Sequence, residues 1–199
     1  MNGDVRLLSS THPGEALAAA CRLTYARGLV AAYAGNASIR LPDGFLCTCT
    51  GCCLGEVTAE DLVRCDAGWR PFAGRRLSSE WRLHARLYEA APAIGAVLHT
   101  HSPAATALAV AGRGLGEITP EAAHFLGQVP CIPFAAPGSD ELGHLAAAAV
   151  RSGARAALLE RHGAVTWGES ARGAFFQAEL LESVAALAWR RASLVGDAP

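Results

Sequence analysis

The sequence predicts an α/β fold in which helices flank a largely antiparallel or mixed β-sheet. Apolar stripes at helical spacing occur together with short apolar runs bounded by turn residues, so both helices and strands are expected. Several strands follow one another through hairpin signals such as Pro42-Asp43-Gly44, and hairpins join antiparallel neighbours. A doubly wound parallel sheet would instead need a crossover between consecutive strands. The 199 residues hold no internal repeat or linker, so we expect one domain spanning residues 1–199.

The N-terminal half predicts two helices with a hairpin between them. Pro13 near the first turn, an apolar stripe and a closing Gly28 indicate the first helix. The turn at 42–44 joins a strand, entered through the glycine-containing loop 34–40, to a returning strand over 45–50. The remaining segments are a helical or loop region over 54–63, a turn-rich irregular region over 65–76, and a second helix that opens at Ser78-Ser79-Glu80 and ends before Pro92.

The C-terminal half predicts further strands that alternate with helices. A strand over 95–101 is followed by a third helix from Ser102-Pro103 to Val110, whereas 117–127 is ambiguous because Pro120 favours a break. The remaining elements are a short strand over 129–134, a turn at 136–139, a helix over 140–152, a buried strand over 156–161 that continues through 164–168, and a long closing helix over 170–195.

Charge and hydropathy narrow the classes of partner. The formal net charge of −1 gives no reason to expect nucleic acid or an anionic membrane surface as a partner. Residues 1–10 lack the basic-then-apolar layout of a signal peptide, and no apolar run approaches the length of a membrane span. We therefore expect a cytoplasmic protein.

The seven cysteines do not follow the spacing of a secreted disulfide framework. Four of them crowd into residues 47–53, where Cys49-x-x-Cys52 has the spacing of a redox pair or of half a metal site. No second pair complements this cluster, so packing as small apolar side chains is the favoured interpretation.

The chain contains no lysine, since all 17 basic residues are arginine. This excludes a lysine Schiff base, a pyridoxal-phosphate lysine and a P-loop lysine within the chain. Any carbanion chemistry here needs another electron sink, and a metal ion is the obvious one.

A His-x-His pair supplies the clearest candidate for such a metal site. His99 and His101 follow an apolar run, and on a β-strand residues two apart point to the same face, so their rings converge. His162 ends another apolar strand, and the glycine after it permits close backbone approach. Three histidines with an open position are the pattern of a catalytic rather than a structural zinc site.

Glu80 is the natural acid–base group, in the first turn of a helix where the dipole stabilises a carboxylate. The neighbouring hydroxyls of Ser78 and Ser79, together with the helix N-terminal amides, form a candidate anion cradle. Other small polar residues in loops are candidates for the remainder of a phosphate cup: Gly35, Asn36, Ser38, Thr50 and Gly51.

Five segments occur in an order and spacing that resembles one enzyme family. They are residues 34–40 (AGNASIR), Thr48-x-Thr50-Gly51, Ser78-Ser79-Glu80-Trp81-x-x-His84, His99-x-His101 and His162-Gly163. The pattern resembles the class II aldolase/adducin family, and within it most closely the L-fuculose-1-phosphate aldolase type. The resemblance implies a three-layer α/β/α fold with a central, mainly antiparallel sheet, and a homotetramer with active sites at subunit interfaces.

The resemblance also implies roles for individual residues. His99, His101 and His162 would bind Zn²⁺, or another divalent ion such as Mn²⁺, Co²⁺ or Fe²⁺, and Glu80 would be the metal-shell carboxylate that acts as base. The substrate phosphate would lie against Asn36, Ser38, Thr50, Gly51, Ser78 and Ser79. The implied reaction is reversible cleavage of a ketose 1-phosphate, fuculose 1-phosphate or a related deoxy-ketose 1-phosphate, to dihydroxyacetone phosphate and an aldehyde.

The chain departs from the fuculose-type pattern where a proton must be delivered. The family's tyrosine acid falls near Thr119-Pro120, and no tyrosine follows Tyr88. Glu121 and His124 are the local candidates for a proton donor. A dehydratase resembling the methylthioribulose-1-phosphate enzymes, with Glu121 in their glutamate's place, is the alternative reaction. Two other interpretations are less favoured: sugar-phosphate epimerases carry an aspartate where this chain has Ala123, and non-catalytic adducin-like members lack the metal ligands.

Overall fold

A computed structural model describes residues 2–116 and 118–196, and within these ranges one seven-stranded sheet forms the centre of the fold. The strands are β1 (Asn36–Leu41), β2 (Gly44–Cys47), β3 (Val63–Asp66), β4 (Ala96–Thr100), β5 (Cys131–Ile132), β6 (Ala156–Leu159) and β7 (Gly163–Gly168). The helices are α1 (Asn2–Leu7), α2 (Pro13–Ala26), α3 (Trp81–Ala90), α4 (Pro103–Val110), α5 (Pro120–Phe125), α6 (Asp140–Arg151) and α7 (Ala171–Val195).

The sheet is antiparallel except at one edge, as the hairpin signals predicted. Its strand order is β3-β2-β1-β4-β7-β6-β5, and β5 pairs parallel to β6. β1 and β2 form the predicted hairpin, with Leu41 opposite Gly44 across the turn. On its other side β1 pairs with β4, and this register places Asn36 directly opposite His99. The predicted mixed α/β class is therefore confirmed.

The two faces of the central strands contact different helices. On one face, Ala96 and Leu98 of β4 belong to a core cluster that includes α2 and the first half of α7. On the other face, Val97 packs with Leu83 of α3 and Leu142 of α6. This alternation follows from the two-residue period of a strand, and it places His99 on the same face as α3.

Two strand predictions need correction. We expected helix or loop up to residue 63 and irregular structure from residue 65. Residues 63–66 instead form β3 at the edge of the sheet, because the side chains of Val63 and Cys65 point inward and the strand pairs with β2. The strand predicted to run continuously from 156 to 168 is two antiparallel strands, β6 and β7. A tight turn separates them, in which Arg161 has a left-handed φ of 57°.

Two helical segments also differ from prediction. The ambiguous segment around Pro120 contains the short helix α5, where Thr119 caps the N-terminus by accepting a hydrogen bond from the Ala122 amide. Helix α1 was not predicted at all. Among the described residues, none of the helices combines the length and apolar character needed to cross a bilayer.

Candidate metal and phosphate site

Three histidines converge at the end of β4, as the sequence predicted. His99 lies on β4, His101 follows that strand, and His162 lies in the turn between β6 and β7. One ring nitrogen from each lies within 4.8 Å of the others, and the Nε2 atoms of His99 and His101 are 2.9 Å apart. Gly163 permits this approach, because a Cβ there would lie 2.4 Å from the Thr100 carbonyl oxygen.

The surroundings hold all three imidazoles in the neutral form that a metal ion requires. Burial, followed by the neighbouring His101 and His162, lowers the pKa of His99 well below its usual range. Burial also lowers the pKa of His101, and burial with the adjacent His101 lowers the pKa of His162 to about 4. His99 Nδ1–H donates to the Ala164 carbonyl at 2.9 Å, so the lone pair of Nε2 points into the cluster.

Glu80 completes the cluster as a buried carboxyl group. Its oxygens lie 3.8 Å from His99 Nε2 and 3.7 Å from His162 Nε2, and its residue exposure is 7%. Burial raises the pKa of Glu80 to about 7, and a hydrogen bond from the Gly138 amide opposes this only in part. The helix dipole was expected to keep this carboxylate ionised; in the structure desolvation outweighs it.

These side chains fit a tetrahedral divalent ion. Two nitrogens that are each about 2.1 Å from such an ion lie about 3.4 Å from one another, within the spacing of this cluster. Glu80 Oε2 and His162 Nδ1 are both buried and have no hydrogen-bond partner among the described residues. An unpaired buried polar atom destabilises the folded state, so a cation bound beside Glu80 would remove this destabilisation.

A cavity of about 170 Å³ opens beside the histidines and is lined by the predicted phosphate residues. Asn36 enters it from β1, Thr50 and Gly51 from the turn after β2, and Ser78 and Ser79 from the segment before α3. Gly51 has a φ of 74°, so the turn needs a residue that tolerates the left-handed region. The structure thus brings five of the six predicted phosphate residues to the cavity wall, which the three histidines also line.

Behind this wall, a buried chain of hydrogen bonds fixes the Asn36 amide. His84 bonds Asn36 Oδ1 through Nε2 at 2.5 Å and Ser38 Oγ through Nδ1 at 2.7 Å, and Ser38 bonds the Tyr88 hydroxyl at 2.9 Å. Burial lowers the pKa of His84 to about 3, so the ring is neutral and has one donating and one accepting nitrogen.

In this chain of hydrogen bonds, one assignment of donors and acceptors gives every proton an acceptor. Tyr88 donates to Ser38, Ser38 donates to His84 Nδ1, and His84 Nε2–H donates to Asn36 Oδ1. The reverse direction would leave the buried Tyr88 proton without an acceptor among the described residues. Asn36 therefore presents its NH₂ group, a hydrogen-bond donor, to the cavity.

Ser38 is the exception among the predicted phosphate residues, and its assignment is corrected. It is fully buried, does not line the cavity, and commits its hydroxyl to the chain behind Asn36. Successive strand residues alternate faces, so Ser38 shares a face with Asn36 but lies one step farther from the end of β1. The candidate proton donors Glu121 and His124 are exposed on α5 and do not line the cavity of the same chain.

Sequence reasoning missed several residues that line the cavity. Tyr33, at its mouth, precedes the predicted Gly-Asn loop, and this proximity was an available signal. Gly35, by contrast, was predicted as part of the phosphate cup and does line the cavity; its φ is 79°, and a Cβ there would lie 2.9 Å from the His99 carbonyl. Cys49 and Cys52 also line the cavity, although apolar packing was the favoured interpretation of their cluster.

A model of one protein family matches most of the chain. The family described as Class II Aldolase and Adducin N-terminal domain matches residues 15–189. L-fuculose phosphate aldolase of Methanococcus maripaludis is 34% identical over 167 residues, which cover 84% of this chain and 91% of that protein.

Relatives with other activities are about as similar. The 5-methylthioribulose-1-phosphate/5-deoxyribulose-1-phosphate aldolase of Escherichia coli O45:K1 is 30% identical over 191 residues, covering 93% of this chain and 87% of that protein. The 3-oxo-tetronate 4-phosphate decarboxylase of Cupriavidus necator is 36% identical over 177 residues, covering 84% and 80%.

The fold has a close counterpart among solved structures. The crystal structure of L-fuculose-1-phosphate aldolase from Thermus thermophilus superimposes with a TM-score of 0.83 at 29% identity. The alignment covers 92% of this chain and 96% of that one.

Proposed function

Because this chain belongs to the class II aldolase and adducin family, we propose that it is a metal-dependent aldolase acting on a phosphorylated sugar. Its substrate would be a ketose 1-phosphate, fuculose 1-phosphate or a related deoxy-ketose 1-phosphate, cleaved reversibly to dihydroxyacetone phosphate and an aldehyde. One observation carries the proposal: three histidines, a buried carboxyl and a turn of small hydroxyl residues line a single cavity.

We propose Zn²⁺ as the ion, held by His99, His101 and His162 with Glu80 beside them. Neutral imidazoles suit zinc, although Mn²⁺, Co²⁺ and Fe²⁺ are other divalent ions that such a site accommodates. When bound, the ion supplies Lewis acidity, which stabilises the negative charge that carbon–carbon cleavage leaves on the substrate.

The substrate phosphate would lie against the turn of Thr50 and Gly51 and the hydroxyls of Ser78 and Ser79. These groups donate hydrogen bonds without a lysine, and Asn36 presents its NH₂ group to the same cavity. Holding the phosphate there fixes the distance between the sugar carbons and Glu80. Positioning of this kind is a large part of the rate gain in such reactions.

Glu80 would take the proton from the substrate hydroxyl whose carbon becomes the aldehyde. A carboxyl with a pKa raised by burial is a stronger base than an exposed one, and a pKa near 7 suits proton transfer at neutral pH. Removal of this proton breaks the adjacent carbon–carbon bond and leaves the enediolate of dihydroxyacetone phosphate. Glu80 then carries a proton, which the enediolate needs in order to become product.

Decarboxylation of a 3-oxo sugar-acid phosphate is a second candidate, favoured by the 36% identity to the Cupriavidus necator decarboxylase. Loss of carbon dioxide from such an acid leaves the same enediolate and requires no hydroxyl proton to be removed. The dehydratase alternative would need Glu121 near the substrate; Glu121 is exposed and outside the cavity of its own chain, so a neighbouring subunit would have to supply it.

A substrate panel separates these reactions. Purified protein with Zn²⁺ is incubated with fuculose 1-phosphate, 5-deoxyribulose 1-phosphate, 5-methylthioribulose 1-phosphate and 3-oxo-tetronate 4-phosphate. Dihydroxyacetone phosphate is measured with glycerol-phosphate dehydrogenase. Aldolase activity releases it with an aldehyde, and decarboxylase activity releases it with carbon dioxide. A phosphorylated dicarbonyl with an intact carbon chain would identify a dehydratase, and absence of turnover on all four would refute a lyase of this substrate class.

We further propose a cytoplasmic homotetramer with active sites between subunits. Exposed large apolar side chains, including Phe176 and Trp189 on α7 and Phe125 on α5, support burial against other copies. In such an assembly, Glu121 and His124 on α5 would reach a neighbouring cavity as proton donors, the alternative to Glu80 for returning the proton to the enediolate. All seven cysteines are unpaired, which suits a reducing compartment. Light scattering that gives a mass other than four chains would contradict the tetramer.

A further inference from the structure

Two cysteines flank the turn to which the substrate phosphate is assigned. Cys49 and Cys52 are the first and fourth residues of this turn, and Thr50 and Gly51 are its central residues. Both cysteines are partly exposed and line the same cavity as the metal cluster. Neither is an isolated thiol: only the two residues of the turn separate them in sequence, and, after burial, the neighbouring Cys49 raises the pKa of the Cys52 thiol.

The turn geometry suits a disulfide between these residues. The first and fourth Cα atoms of a β-turn lie within about 7 Å, and disulfides span Cα distances of roughly 4.4–6.8 Å. Gly51 has a φ of 74°, as the third position of several tight turns requires. Cys49 is held in place by a bridge to Leu77, and Cys52 packs partly against the core.

We propose that Cys49 and Cys52 form a thiol–disulfide modification site that brackets the phosphate turn, with a low-molecular-weight disulfide as oxidant. The Cys49 thiolate attacks one sulfur of the oxidant, which forms a mixed disulfide and releases the first small thiol. Cys52 then loses its proton and attacks the Cys49 sulfur, which releases the second thiol. In total, two protein thiols and one small disulfide become one protein disulfide and two small thiols.

The roles of the two cysteines follow from their surroundings. Burial, with the adjacent Cys49, raises the pKa of Cys52 to about 12, so Cys52 is protonated at neutral pH. This arrangement makes Cys49 the attacking thiol and Cys52 the resolving one. Cys53 is next in sequence but does not line the cavity, so it provides a matched control.

Disulfide formation would change the phosphate site directly. Both cysteines are unpaired in the structure, so their sulfur atoms must approach to a bond length of about 2.05 Å, which pulls the ends of the turn together. Thr50 and Gly51 move with them, because they are the only residues between the two cysteines. This consequence rests on the proposed function, in which the turn holds the substrate phosphate, and we expect the oxidised protein to bind phosphate at least tenfold more weakly.

The experiment uses the full chain loaded with Zn²⁺ and exposed to oxidised glutathione. Peptide mass mapping should find a Cys49–Cys52 disulfide that dithiothreitol reverses, in the wild type and in Cys53→Ser. It should be absent from Cys49→Ser and Cys52→Ser. Calorimetry with inorganic phosphate should show the tenfold weakening only where the disulfide forms, with unchanged zinc content.

Several results would overturn the proposal. One is glutathione adducts on Cys53 or Cys131 without a 49–52 disulfide, and another is a 49–52 disulfide that leaves phosphate affinity unchanged. A reduced wild type with no phosphate affinity would instead refute the proposed phosphate site, and mass mapping alone would then decide whether the modification site exists.

Discussion

Replacing Glu80 with glutamine should stabilise the metal-free protein at alkaline pH and not at acid pH. The Glu80 pKa is raised from its ordinary 4.5 to about 7 by burial in the folded chain. Between these values the folded state holds a proton that the unfolded state has lost, so stability falls as the pH rises through this window. Glutamine resembles the neutral carboxyl in shape and does not ionise, so the stability of the variant does not fall in this way as the pH rises.

The expected size follows from the two pKa values. One pKa unit is worth about 1.4 kcal/mol, so the raised pKa of Glu80 lowers the free energy of unfolding by about 3 kcal/mol at pH 8 and by only about 1 kcal/mol at pH 5. The advantage of Glu80→Gln over the wild type should therefore grow by about 2 to 3 kcal/mol between these pH values.

Buried histidines change the stability with pH in the opposite direction, but they do not obscure the comparison between the wild type and Glu80→Gln. The pKa values of His84 and His162 are lowered by burial to about 3 and about 4, so their contribution to stability is lost as the pH falls below about 6.5. This loss occurs in the wild type and in Glu80→Gln alike. The difference between the two proteins therefore isolates the carboxyl.

The assay is urea unfolding in a chelating buffer at pH 5, 6, 7 and 8. Glu56→Gln is the matched control, because Glu56 is exposed, and it should follow the wild type at every pH. Adding Zn²⁺ at pH 8 should reduce the difference in free energy of unfolding between Glu80→Gln and the wild type, because a cation beside Glu80 favours its ionised form. Parallel stability curves for Glu80→Gln and the wild type would refute the argument, since the carboxyl would then titrate as it does in the unfolded chain.

Three further predictions concern the residues around the cavity. His162→Ala should lose stoichiometric zinc in elemental analysis and reduce lyase activity to background, as chelation of the wild type should. Gly163→Ala should lower the free energy of unfolding by about 2 kcal/mol or more, because its Cβ would lie 2.4 Å from the Thr100 carbonyl. Tyr88→Phe should raise KM for the phosphorylated substrate about fivefold with a smaller change in kcat, because the bonds that orient Asn36 lose one donor.

Each of these variants has a control from the same chain. His144→Ala removes an exposed histidine, Gly116→Ala adds a Cβ with no atom within 4 Å, and Tyr25→Phe changes a partly exposed phenol. Full zinc occupancy in His162→Ala would contradict its role as a ligand. Equal stability of Gly163→Ala and Gly116→Ala would contradict the close contact at Gly163. A Tyr88→Phe effect on kcat alone would contradict positioning through Asn36.

The fold class and the histidine cluster were accessible from the sequence because both depend on short-range patterns. The Pro42-Asp43-Gly44 turn fixes a hairpin locally, and the spacing of His99 and His101 fixes their common face once a strand is assumed. His162 was identified from its place at a strand end before Gly163. Edge strand β3 escaped prediction because its four residues pair through partners distant in sequence.

The sequence by itself determined which chemical groups are available: histidines without lysine, one acidic residue before a helix, and small hydroxyl residues in loops. Only the tertiary structure decided how each group behaves. Asn36 and Ser38 are two residues apart on one strand, yet Asn36 lines the cavity whereas Ser38 is buried behind it. The helix dipole, a local effect, was expected to stabilise the Glu80 carboxylate, but burial raises the pKa of this group to about 7. Burial depends on long-range packing, and no local pattern specifies it.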